Sequence, residues 1–177
     1  QKETYSKQAK RKPRIMGVLT EMVKDYFEAN DWTYECSPTE EGLFLAEIGT
    51  ENTEFDVVIH ADDDINQITC FCIHQDTVPE EKLNAVAEYM IRVNFSNVLI
   101  AYDMDFDDGE VRMRASMNLA DMKPTPDMLD TLIQSTISLA DIYYPGLIAV
   151  MEEESSPEEA LNECISKMGD MVAEDEE

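Results

Sequence analysis

The sequence predicts an α+β fold, an antiparallel sheet with helices packed on it. Three observations carry that prediction. Helical and strand periodicities fall in separate blocks, in the order α-β-β-β-β-α-β-β-α-α. Successive strands are joined by short turn-rich stretches, which antiparallel pairs use and parallel pairs cannot. Hydrophobic residues make up 44% of the 177, enough for a real core.

Taken in order, "RIMGVLTEMVKDYFEAND" places Ile15, Val18, Leu19, Met22, Val23, Tyr26 and Phe27 at helical spacing. This first helix ends near Asn30. Strands are predicted at 32–36 and 42–48, separated by the turn-rich "SPTEE", and at 54–61 and 65–74, flanking "DDD" at 62–64. A second helix spans about 79–93. Pro79 suits a first helical position, and Glu80 and Glu81 suit the positive end of the helix dipole. Leu83, Val86, Ala87, Met90 and Ile91 form its apolar stripe.

Two further strands, 97–106 and 110–119, read as a hairpin. Asp108-Gly109 suits the centre of a two-residue turn. Asp105 then faces Arg112, Met104 faces Met113 and Asp103 faces Arg114. One face carries Tyr102, Met104, Phe106, Val111, Met113, Ala115, Met117 and Leu119. A third helix begins at Thr125, its cap, with Pro126 at the first position. Met128, Leu129, Leu132, Ile133, Thr136 and Ile137 form its buried face. It is expected to break near Pro145, with a short helical piece after. A last helix starts at the Ser156 cap and carries Ala160, Leu161, Cys164, Ile165 and Met168. The expected organisation is a basic arm at 1–14, a domain at 15–151 and an acidic extension at 152–177.

Charge excludes some function classes. The net charge is −26, yet residues 1–14 hold six of the 13 basic residues and one of the 39 acids. The remaining body repels nucleic-acid phosphates and anionic lipid within a Debye length, ~8 Å in physiological salt. The arm reads as a solvated tail that could also meet nucleic acid or fold back on the acidic surface. No apolar run approaches the ~20 residues of a membrane helix. The first residues lack the apolar stretch of a signal peptide. A cytoplasmic location is expected.

Candidate chemistry is sparse. Asp103, Asp105 and Asp107 mimic the first positions of a calcium loop. The sixth position is Asp108 where glycine is needed, and the twelfth is Arg114 where a bidentate glutamate is needed. The aspartates balance the hairpin's arginines instead, at ~0.2–1 kcal/mol per pair. Cys70, Cys72 and His74 share one strand face, with His60 on the next strand, a donor set that suits zinc. The thiolates lack the knuckle that converges them, and the face reads as half-buried and apolar. The six glycines, none closer than seven residues to the next, leave no phosphate cradle. No nucleophile elbow is present, and no catalytic, cofactor or metal residue is assigned.

The run 77–151 resembles the YbjN family of bacterial sensory transduction regulators. The features that carry this are "PEEK" at 79–82, Asn94-Phe95 before a strand, "DGEVR" at 108–112 and "DIYYPGL" at 141–147. Residues 15–76 match by element order. The resemblance implies the fold of the type III secretion chaperones, which are small, acidic, dimeric proteins that hold an unfolded client segment. It brings no catalytic motif. The expected function is non-enzymatic: a homodimer that binds a protein client or regulatory partner through apolar surface. The residues expected there are Met113, Met117, Tyr143 and Tyr144, with methionine supplying an adaptable surface. The rivals are a small-molecule or metal-dependent enzyme and a nucleic-acid regulator using the arm.

Overall fold

Asp63 shows how the sequence builds its first element. The N-terminus of helix α1 (Val18–Ala29) has no side-chain cap of its own. Asp63 supplies one from the "DDD" turn. Its carboxylate accepts from the Leu19 amide at 2.8 Å, the Thr20 amide at 3.2 Å and the Thr20 hydroxyl at 2.7 Å. That satisfies donors a helix start otherwise leaves open. Gly17 makes room, since a Cβ there would collide with the same carboxylate.

The computed structural model describes residues 17–122 and 124–174, the last five as backbone only. The basic arm, Ile15 and Met16 lie outside the described residues. After α1 come β1 (Tyr34–Cys36), β2 (Leu43–Gly49), β3 (Glu54–Asp62) and β4 (Gln67–His74). A turn of 3-10 helix (Glu80–Lys82) leads into α2 (Leu83–Ser96). Then follow β5 (Ile100–Met104), β6 (Val111–Asn118), α3 (Pro126–Met151) and α4 (Pro157–Glu174). The element order is the one the sequence predicts. All six strands form one antiparallel sheet in the order β1-β2-β3-β4-β6-β5, so β5 is an edge.

Strand alternation sets the two faces. Phe55, Val57 and Ile59 of β3, Ile68, Cys70 and Cys72 of β4, and Val111 and Met113 of β6 point inward and are buried. The outer face is polar or half-exposed. There Arg112 lies over the Phe71 ring at 4.7 Å, a cation–π contact. Helices cover the inner face only, as expected of a one-sided antiparallel sheet.

The β5–β6 hairpin forms, but two residues out of the predicted register. Asp103 faces Arg112, and Met104 faces Val111. A two-residue turn would need positive φ at both Asp108 and Gly109; only Gly109 has it, at 77°. A longer loop closes the pair instead. The Asp105 amide donates to the Glu110 carbonyl at 2.9 Å, and Asp105's carboxylate accepts from the Asp107 amide at 2.9 Å. A shift of two preserves both faces, so Tyr102, Val111 and Met113 still point inward. Arg114 reaches Asp103 diagonally, with Nε at 2.7 Å. Phe106, placed on the inner face by the predicted register, is exposed in the loop. Gly109 also anchors the tip: its carbonyl accepts from the Val78 amide at 2.9 Å, and a Cβ would strike the Val78 carbonyl.

Helix α3 does not break at Pro145; it runs 26 residues through it. Proline removes the amide that would bond the Asp141 carbonyl. Asn52, on the β2–β3 loop, donates its side-chain amide to that carbonyl at 3.3 Å. The Asn52 amide and the Thr50 hydroxyl also bond the Asp141 carboxylate, at 3.0 and 2.6 Å. The loop thus occupies the acceptor the proline frees. Helix α4 packs back through Ala160, Leu161 and Cys164, all buried, so the acidic extension joins the core. Its Ser156 makes the capping box with Glu159. Val18 and Ile91, placed on buried stripes by the sequence, are exposed.

Candidate functional site

Two asparagines build the most distinctive surface. Asn94, in the last turn of α2, accepts from the Tyr102 amide at 2.7 Å and donates to the Tyr102 carbonyl at 3.1 Å. Its side chain thereby pairs the outer edge of β5, as a further strand would, and blocks it at that point. Asn97 donates to the Val93 carbonyl at 2.9 Å and to the Tyr143 hydroxyl at 3.3 Å. With its polar groups anchored, the α2–β5 connection turns its apolar side chains outward. Phe95 is 93% exposed, Val98 96% and Leu99 85%. Ile91, one helical turn before Phe95, is exposed as well.

Beside Leu99 runs an apolar groove of about 570 Å³. Ile100, Ala115 and Met117 form its sheet wall, and Met128 and Leu132 its α3 wall; Asp127 is the one charged residue among the described lining residues. Singly exposed apolar residues need no explanation, but several close in sequence, with Leu99 lining a groove, do.

The residues assigned to binding from sequence are placed differently. Met113 is 1% exposed and Tyr143 2%, both in the core, because the strand face and helix stripe that carry them point inward. Neither offers surface to a partner in this conformation. Tyr144 is half-buried. It stacks on His74 at 5.7 Å and donates to Asp76 at 2.8 Å. Met117 alone of the four lines the groove. Phe95, Val98 and Leu99 were missed because Phe95 falls between the predicted helix and strand, and Val98 and Leu99 read as the start of the strand. A signal existed: Ile91 and Phe95 are four apart and off the stripe of Val86, Met90 and Val93.

The cysteine–histidine strand is a buried apolar row. Cys70, Cys72 and His74 face the core, while His60 pairs with Thr69 and lies on the opposite face, 3.5 Å from Glu40. Burial pushes the Cys70 thiol up to about 12 and that of Cys72 higher, which keeps both uncharged. Burial lowers His74 to about 4, so its ring is neutral. Among the described residues, no group of three or more His, Cys, Asp or Glu is placed to hold a metal ion. Nor is any helix among them long and apolar enough to cross a membrane.

The fold has a solved counterpart. The crystal structure of YbjN from E. coli, described as a putative transcription regulator, superposes with a TM-score of 0.53 at 12% identity. The match covers 76% of this chain and 90% of that one. At that identity it speaks for the fold alone. No curated protein matches the sequence. The sequence pattern of the YbjN family, described as "putative bacterial sensory transduction regulator", matches residues 20–149. The match takes in the β5 edge, the α2–β5 connection and the groove, and the chain belongs to the YbjN family.

Proposed function

We propose that this chain is a non-catalytic regulatory protein that binds a segment of a partner protein on Phe95, Val98, Leu99 and the adjoining groove. The carrying observation is the near-complete exposure of those three side chains beside an apolar cleft. Covering a Phe, a Val and a Leu is worth roughly 5–8 kcal/mol before the costs of association. The occupant is an apolar segment flanked by basic residues. Asp127 at the groove and a net charge of −26 favour such flanks and disfavour acidic ones. The family's description as a regulator supports a protein partner.

The test begins with partners recovered from the native cytoplasm, the expected location. The recovered segment, made as a peptide, is titrated calorimetrically against the native chain and the Phe95→Asp/Leu99→Asp variant. The variant should bind at least about 100-fold more weakly, a loss of about 3 kcal/mol, with its circular dichroism unchanged. Equal binding by both chains contradicts the reading. A homodimer is the proposed assembly; light scattering at micromolar concentration should give about twice the 20.2 kDa protomer mass, and a clean monomer contradicts it.

A second reading rests on the basic arm, which could contact nucleic acid. Removal of residues 1–14 would then abolish a steeply salt-dependent binding. Under the first reading the truncated chain keeps its partner.

A further inference from the structure

A second groove, of about 670 Å³, runs along α1 against the start of α3. Its apolar floor is made by Val18, Met22, Tyr26 and Leu129. Its charged rim is acidic: Glu21 and Asp25 on α1, Asp127 and Asp130 on α3, with no lysine or arginine among the described lining residues. Asp130 is engaged, accepting from the Tyr26 hydroxyl at 3.1 Å. That bond, with Gln134 donating to the same hydroxyl at 2.9 Å, fixes α1 against α3 and keeps the groove open between them. An apolar floor with a one-signed rim calls for an occupant that is apolar and cationic.

The chain carries such a segment, attached at the groove's own end. Residues 1–14 hold Lys2, Lys7, Lys10, Arg11, Lys12 and Arg14 against one acid, with Tyr5 and Pro13 as apolar members. They join α1 through Gly17, next to Val18, the first lining residue. The 12 residues of α1 extend about 18 Å at 1.5 Å per residue. An extended run of 14 residues spans up to about 46 Å at 3.3 Å per residue. A reversal of the chain ahead of Val18 would let an arm of that length follow the whole groove. Tethering supplies an effective concentration of about millimolar. Ion pairs that are individually weak in water then suffice to hold it.

We propose that the basic arm, residues 1–14, docks intramolecularly along α1 in the acidic groove between α1 and α3. Docking covers the exposed Val18 and sets the arm's charge against Glu21, Asp25 and Asp127. The interaction is electrostatic and therefore weakens with salt.

Tryptic cleavage within the arm of the full chain tests this, with rates normalised to a free peptide of residues 1–14. At low salt the native chain should be cut about tenfold more slowly than the Glu21→Lys/Asp25→Lys variant, as an effective concentration about ten times the dissociation constant gives. At about 1 M salt, where the Debye length is ~3 Å, the two rates should converge. Glu21→Gln/Asp25→Asn, which is gentler on the helix, should fall between them. Circular dichroism verifies that each variant keeps its fold. A control on the outer sheet face, Glu47→Lys/Asp56→Lys, should leave protection intact. Equal rates for native chain and groove variants at low salt overturn the proposal. Loss of protection by the control as well also overturns it, as does loss by Glu40→Lys/Glu41→Lys, in the other acidic pocket beside Gly17, while the groove variants stay protected.

Discussion

Replacing His74 by phenylalanine should remove an acid-sensitive element from the core. His74 is buried, and neither ring nitrogen has a protein hydrogen-bond partner. Its surroundings are aromatic: Phe55 edge-on at 5.1 Å, Tyr102 at 5.6 Å and Tyr144 stacked at 5.7 Å. Burial lowers its pKa from 6.5 to about 4, against a smaller opposing effect of Asp76. In the unfolded chain the ring protonates near 6.5; in the folded chain it resists until about 4. The unfolded state therefore binds the extra proton first, and stability falls as pH drops through that window. The interval corresponds to a loss of about 3 kcal/mol. Phenylalanine cannot protonate and leaves no orphan nitrogens, each of which costs about 1–3 kcal/mol. At pH 7 His74→Phe should thus be neutral or stabilising. Urea unfolding followed by circular dichroism, at steps from pH 7 to pH 4, gives the free energy of each chain. The carboxylates titrate alike in both, so the difference isolates His74. It should widen by about 3 kcal/mol in favour of the variant as pH falls. Parallel curves for the two chains would refute the reasoning.

Other substitutions test the local arguments, each by urea unfolding. Asn94→Ala leaves the Tyr102 amide and carbonyl at the sheet edge unpaired; it should cost about 1–3 kcal/mol and, by light scattering, promote edge-to-edge association. Pro145→Ala restores an amide facing the Asp141 carbonyl and should be tolerated or stabilise by up to about 3 kcal/mol. In that background Asn52→Ala should cost less than in the native chain, where Asn52 serves that carbonyl. Gly146→Ala drives a methyl into the Tyr89 hydroxyl and Cys164 sulfur and should cost about 1–3 kcal/mol through overpacking where α2, α3 and α4 meet.

Most of the fold is legible in the sequence because it is written in local periodicity and caps. Thr125 and Ser156 cap the helices assigned to them, and the strand alternation of β3 and β4 chooses the buried face. What escaped was decided by distant partners. The helix continues through Pro145 because Asn52, far away in sequence, serves the vacated carbonyl. The hairpin register follows the Asp105 side chain and the φ of one glycine, although Asp-Gly by itself suits a shorter turn. The proposed binding surface escaped for a related reason. Met113 and Tyr143 have the composition of a sticky surface, yet helices cover them. Phe95 and Leu99 are outward because Asn94 and Asn97 fix the backbone that carries them, and such pairings over eight residues or across to Tyr143 leave no periodic trace. Three of the motifs that carry the family resemblance acquire physical meaning here. "PEEK" and "DGEVR" meet where the residue before Pro79 bonds Gly109, and "DIYYPGL" holds both Asp141 and the proline it accommodates.

On the proposed function, the outward apolar residues at the end of α2 and in the α2–β5 connection meet a protein partner. A photo-reactive phenylalanine analogue at position 95, activated by light in living cells, tests it most directly. The expected result is a discrete crosslinked protein from position 95, lost when Leu99 is changed to Asp, and none from position 47 on the outer sheet face. The same adducts from both positions, or none from position 95 while the full chain is present and folded, would contradict it.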